Sequence, residues 1–248
     1  MLIAAALFLV GMVAGFVDAI AGGGGLLTVP ALFLTGIDPH LAMGTNKAQG
    51  VFGTATSLQR FSGSSLLDRK RAKRSFVPAL VGAAAGVFLL MHVKPQVLRP
   101  LVMAMLAGVA IFMIVHRAPA VPRPPRHRGF ILTGAVAFIL AFYDGFFGPG
   151  TGTFLIVAYA YFWGDSLDSA SANAKVVNFG SNFASMVTFA ALGQIRWKLA
   201  LPMAAGQVVG GYLGAHATIR AGRKLVRLAV VMVSIALIAR LLWDLVRS

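Results

Sequence analysis

Four ionisable side chains stand inside otherwise apolar stretches of this chain, in the order acid, base, acid, base: Asp18, Lys47, Asp144 and Lys175. A charge at the centre of a membrane helix costs roughly 2.5–3.5 kcal/mol on insertion scales, so four unpaired ones would cost roughly 10–14 kcal/mol. That rivals the stability of a whole domain. The four must therefore pair, reach water or lie near an interface. Each acid is followed by a glycine-rich break, Gly22, Gly23, Gly24 and Gly25 after Asp18 and Gly148-Pro149-Gly150-Thr151-Gly152 after Asp144. A break of this kind frees backbone N–H groups at the start of the helix that follows, where the helix dipole is positive. At membrane depth such a helix start suits an anion. Thr151 and Thr153 add hydroxyl donors in the second copy.

The lysines share their helix faces with other polar groups. Lys175, Asn178, Asn182 and Ser185 are three, four and three residues apart, which places them on one side of a helix. The matching face carries Lys47, Gly50, Thr54 and Ser57, with Asn46, Gln49 and Gly53 alongside. Such stripes fit the wall of a wet cavity better than contact with lipid. Together the breaks, lysines, amides and hydroxyls make a donor set for a small oxyanion. Asp18 and Asp144 either pair with the lysines, cap the breaks or exchange protons with the pathway, and pairing or capping is favoured over proton coupling.

The elements that must position these groups come in two series. Apolar segments fall at 2–21, 26–36, 42–61, 76–93 and 98–116, then at 129–147, 153–164, 172–193, 199–219 and 225–244. All read as helices, because unpaired strands cannot cross a bilayer. The fold class expected is an all-α polytopic membrane protein with two homologous halves of four to five segments, 1–116 and 129–248. A basic, proline-rich linker at 117–128 joins them. A duplicated hydrophobic unit broken by glycine at matching positions points to a transporter site between halves. If the short segments 26–36 and 153–164 are re-entrant, each half has four spans and the repeats run parallel; if they cross, each half has five and the repeats are inverted. The second-half basic residues lean toward inversion. The apolar N-terminus lacks a basic n-region, and its pattern recurs deep in the chain at Phe142, so it reads as a retained helix rather than a signal peptide.

Composition sets the class. The 248 residues are 58% hydrophobic and 12% charged, and the mean hydropathy is +0.82. A soluble domain is about a quarter charged. The net charge of +15 lies mainly in short loops, as a topology signal and a contact to anionic lipid rather than to nucleic acid. With no cysteine and no glutamate, disulfide and thiolate chemistry is out. The five histidines have no metal-ligand spacing, and no nucleophile elbow, Walker loop or zinc motif occurs. No metal, cofactor or enzymatic activity is therefore expected, and an aspartyl dyad from Asp18 and Asp144 is disfavoured by the adjoining lysines.

These residues resemble a known family, the sulfite exporter TauE/SafE permeases. The resemblance rests on Gly15-Phe-Val-Asp-Ala-Ile-Ala-Gly-Gly-Gly-Gly25 with Pro30, on Ala42-Met-Gly-Thr-Asn-Lys47, and on the echoes Asp144-Gly-Phe-Phe-Gly-Pro-Gly-Thr-Gly152 and Ala172-Asn-Ala-Lys175. It implies a secondary transporter of sulfite, organosulfonates or related sulfur-containing anions in a bacterial inner membrane. Direction, coupling ion and homo-oligomeric state are left open by it. Pro149, in place of a glycine, implies a stiffer second break. The reading from another class is a non-transporting membrane scaffold subunit that uses glycine only for packing.

Overall fold

The computed structural model describes residues 2–115, 129–222, 224–226 and 228. The linker 117–128 and nearly all of the tenth segment, 225–244, lie outside the described residues. Among those described, nine helices follow in order: α1 (Leu2–Ala21), α2 (Gly25–Phe33), α3 (Pro39–Ser62), α4 (Arg69–Met91), α5 (Pro95–Val115), α6 (Phe130–Phe146), α7 (Thr151–Phe162), α8 (Leu167–Ala191) and α9 (Trp197–Ala221). No strand occurs among them. The order matches the sequence expectation, with two helix starts displaced by five residues or more. α4 begins at Arg69 rather than 76, because the Asp68 carboxylate accepts from the N–H groups of Lys70 and Arg71 and so caps the helix at the charged end. α8 begins at Leu167 rather than 172.

Helix direction follows from the packing. Gly206, Gly210 and Gly214 of α9 rest on the backbone of Phe8, Met12 and Phe16 of α1 in that order, so these helices run the same way. Gly82 and Gly86 of α4 rest likewise on Phe138 and Phe142 of α6. Small residues permit this backbone approach in membrane helices. α3 follows α9, with Thr45 beside Arg196, Ser57 beside Gly211 and Arg60 beside His216. α8 follows α4, with Asn173 bonded to Asp68 and Gly180 facing Phe76 and Ala79. α3 and α8 oppose each other, since Gly50 meets Asn182 while Leu66, just past α3, meets Ser169. Thus α1, α3 and α9 point one way, and α4, α6 and α8 the other. The short α2 turns back along α1: Gly24 lies against Asp18 and Ala14, and Leu32 ends beside Leu7, Ala42 and Met203.

The outer surface is apolar. Leu9 and Val13 of α1, Val81 and Phe88 of α4, Ile139 of α6 and Val208 and Leu213 of α9 are all exposed. α1 and α4 are long and apolar enough to cross a membrane, whereas α3 and α8 bury a polar face inward.

One end of the bundle is tied by charge. The Arg71 guanidinium donates to both oxygens of Asp165 at 2.5 and 3.1 Å. Its plane lies 5.2 Å from the ring centres of Tyr159 and Trp163. Both partners of the pair are nearly buried. Arg71→Ala leaves the Asp165 carboxylate with only the Asn173 amide, and removing one member of a buried pair costs about 3–5 kcal/mol. A clear fall in the unfolding temperature of the purified protein is expected, largely recovered in Arg71→Ala/Asp165→Asn. No recovery in the double variant would show that Arg71 acts through ring stacking instead.

Candidate functional site

Both glycine breaks reach the same point in the structure. Gly22 (φ +75°) packs directly on the backbone of Gly152, and Gly25 faces Pro149. The two helices that leave the breaks, α2 and α7, start there without any side-chain cap. The first N–H groups of such helices have no partner within the helix, so two helix starts are presented at one place.

The ionic groups are crossed between the halves. Lys47 Nζ of α3 lies 2.8 Å from Asp144 Oδ1 at the end of α6. Lys175 Nζ of α8 lies 2.7 Å from Asp18 Oδ2 at the end of α1 and also donates to the Asp18 carbonyl. In both pairs the acid precedes a break and the base comes from the polar helix of the other half. Pairing satisfies the charges that the sequence alone left open. Asp18 also accepts from the Gly24 N–H at 3.4 Å, a long contact just ahead of α2. Ser181 donates to Asp144. The pairs differ in access, Asp144 being 6% exposed and Asp18 18%, and both acids border one open space.

That space is a cavity of about 40 Å³, room for roughly three waters or one small ion. Its walls come from Asp18, Gly22, Gly24 and Gly25, from Asn46, Lys47, Gln49, Gly50 and Thr54 of α3, from Asp144, Gly148, Thr151 and Gly152, and from Asn178 and Asn182 of α8. The polar faces of α3 and α8 thus meet beside the two breaks. Four residues of the expected set are not on the wall. Gly23 and Gly150 face elsewhere, Thr153 donates to the Ala21 carbonyl at 2.8 Å and ties the second break to the first, and Lys175 sits behind Asp18, fully buried. Among the described residues no group of three His or acidic side chains converges as a metal site.

The cavity has one wall residue that the sequence reading missed. Gln207 of α9 is buried in it, its side chain threading between Gly15 and Gly53, where a Cβ on either glycine would collide with it. The available signal was a lone amide on a helix whose glycines, Gly206 and Gly210, read only as packing. Within the wall, Asn46 Oδ1 accepts from Thr28 at 2.5 Å and from Gln49 Nε2 at 3.0 Å. The Gln49 Oε1 atom is buried with no partner. The Asn182 amide is spent on the Asn178 carbonyl at 2.7 Å. The Asn178 amide makes no hydrogen bond among the described residues and lies against the start of α7 beside Gly152. With each lysine neutralised by an aspartate, the lining is near neutral and rich in amides, while the Thr54 and Thr151 hydroxyls donate to the Gly50 and Gly148 carbonyls.

The family model for the sulfite exporter TauE/SafE proteins matches residues 7–241. The chain belongs to the sulfite exporter TauE/SafE family. A probable membrane transporter protein of Haemophilus influenzae is 36% identical to it, with 97% of this chain and 94% of the relative aligned. The Escherichia coli K12 protein YfcA, also named a probable membrane transporter, is 34% identical over 96% of this chain and 89% of its own. A Sinorhizobium protein of the same description is 34% identical over 96% and 92%. No solved structure matches the chain. As a TauE/SafE protein it is a helical membrane protein. The breaks, the crossed ion pairs and the cavity all lie within the matched region.

Proposed function

We propose that this TauE/SafE protein is a secondary transporter of small oxyanions in a bacterial inner membrane, with sulfite, organosulfonates or related sulfur-containing anions as substrates. The single observation that carries the reading is the cavity between the halves, where two helix starts without a side-chain cap and several side-chain amides converge. Oxygen atoms of an anion accept from N–H and O–H donors, and helix starts favour negative charge. The lysines act on the anion indirectly: each neutralises an aspartate that would otherwise repel it. The anion itself is held by the Asn178 amide and the backbone of the breaks, and Thr151, whose hydroxyl donates to the Gly148 carbonyl at 2.7 Å, braces the second break at the cavity wall.

The halves are read as inverted repeats. α1, α3 and α4 correspond to α6, α8 and α9, and each pair of counterparts runs in opposite directions. The contacts support the register: Gly82 and Gly86 stand on Phe138 and Phe142 as Gly210 and Gly214 stand on Met12 and Phe16. That is one helical turn away from a match of Pro78, Gly82 and Gly86 with Pro202, Gly206 and Gly210, which have the same spacing along the chain. This topology puts the 69–74 basic run, the start of α6 and Arg220 at the end of α9 on one face, the cytoplasmic one. Rocking of one repeat against the other would open the site to each side in turn.

Flux of labelled sulfite and of a taurine-like sulfonate into proteoliposomes tests the reading. Asn178→Leu with Thr151→Val is expected to lower flux at least tenfold while the protein remains monodisperse. Unchanged flux in that variant, or no flux of any oxyanion by the natural protein, would overturn it. A scaffold subunit would show intact assembly and no transport.

A further inference from the structure

The two ends of the bundle are filled unequally. At the end tied by Arg71, the space between α4, α7 and α8 is occupied by the Arg71, Tyr159 and Trp163 side chains. At the other end, a crevice of about 700 Å³ opens between the start of α1, the end of α2 and the start of α9. Its walls are apolar, with Ile3, Leu7 and Val10 from α1 and Leu34 from α2. From Ile3 to Val10 the wall extends about 10 Å along α1. The charged residues at its rim are Arg196 and Lys198, both exposed and without an acidic partner among the described residues. Trp197 stands between them, 44% exposed, as tryptophan does at a membrane–water boundary.

We propose that this crevice is a binding site for an anionic phospholipid, with an acyl chain between α1 and α2 and the headgroup phosphate on Arg196 and Lys198. The apolar wall matches a hydrocarbon tail, and the two unpaired cations at its mouth match a phosphate. A zwitterionic lipid satisfies the wall but leaves the net positive rim uncompensated. The bound lipid would fill the end of the bundle that the described residues leave open, and would wedge α2 against α1. The site is separate from the cavity between the halves and does not depend on what that cavity carries.

Native mass spectrometry of the full-length protein in detergent, titrated with phosphatidylglycerol, phosphatidylcholine or inorganic phosphate, tests the proposal. Phosphatidylglycerol adducts are expected to exceed phosphatidylcholine adducts at least tenfold. Arg196→Ala/Lys198→Ala should bring the two lipids level. Ala6→Phe, which places a ring in the crevice, should remove both, whereas Val13→Phe on the exposed surface of α1 should remove neither. Equal binding of the two lipids by the natural protein, or full binding by Ala6→Phe, would overturn the proposal. So would saturation by inorganic phosphate without lipid, or a dimer that dissociates in Ala6→Phe, which would make a second copy the occupant.

Discussion

Lys47→Met is expected to abolish folded protein in the membrane, whereas Lys175→Met is expected to leave a reduced but measurable amount. Both remove an ammonium from a buried pair, yet the acids left behind differ in surroundings. Asp144 is 6% exposed and would keep only the Ser181 hydroxyl. Removing one partner of such a pair costs about 3–5 kcal/mol, a large share of the 5–15 kcal/mol by which domains are stable. Asp18 is 18% exposed and also accepts from the Gly24 N–H. Both acids border the cavity, but the greater exposure of Asp18 and that N–H soften its loss. Fluorescence-detected gel filtration of the detergent-solubilised variants measures the folded fraction. Lys47→Met/Asp144→Asn is expected to restore it, since a neutral pair leaves no isolated charge. Equal damage by the two single variants would refute the view that its greater exposure screens Asp18. A double variant that stays unfolded would refute the ionic account of Lys47.

The sequence reading reached the ingredients of this site because they carry costs visible in one dimension. A charge in an apolar run, a glycine run after it and a polar stripe at helical spacing are each expensive in lipid, so they stand out without a partner in view. What the spacing along the chain could not supply was the pairing. Lys47 is 29 residues from Asp18 and 97 from Asp144, and only the meeting of the two breaks brings it to the more distant acid. The same limit hid Gln207. Its role depends on Gly15 and Gly53, on the two neighbouring helices α1 and α3, leaving room for its side chain. Thr153 shows the opposite error: a hydroxyl next to a break reads as a ligand donor, but the neighbouring break offers it the Ala21 carbonyl first. The earlier start of α4 was legible in principle. Asp68 before a run of good helix formers is a capping signal, and the weight given to the charges of Arg69–Arg74 obscured it.

Gly22→Ala is expected to be as damaging as the loss of Lys47, and Gly36→Ala only mildly so. The two glycines have nearly the same backbone, with φ of +75° and +74°. In the left-handed region an alanine costs roughly 1–2 kcal/mol through its Cβ alone. Nothing lies within 4 Å of a Cβ at Gly36, so that cost is the whole effect there. At Gly22 the Cβ would land inside the backbone of Gly152 and the N–H of Thr153. Backbone cannot rotate away as a side chain can. The contact can be relieved only by pushing the two breaks apart, and this would stretch the Thr153 bond to Ala21 and widen the cavity. Gly25→Ala supplies an internal control, since its Cβ would sit 3.2 Å from Pro149 Cα, a tight contact that a small shift relieves. Thermal unfolding of the purified variants should therefore rank Gly36→Ala and Gly25→Ala close to the natural protein and Gly22→Ala far below. If Gly22→Ala unfolds no earlier than Gly36→Ala, the close meeting of the breaks is not what holds the halves together. The crossed lysine pairs would then carry the junction alone, and Lys47→Met would have to account for all of its stability.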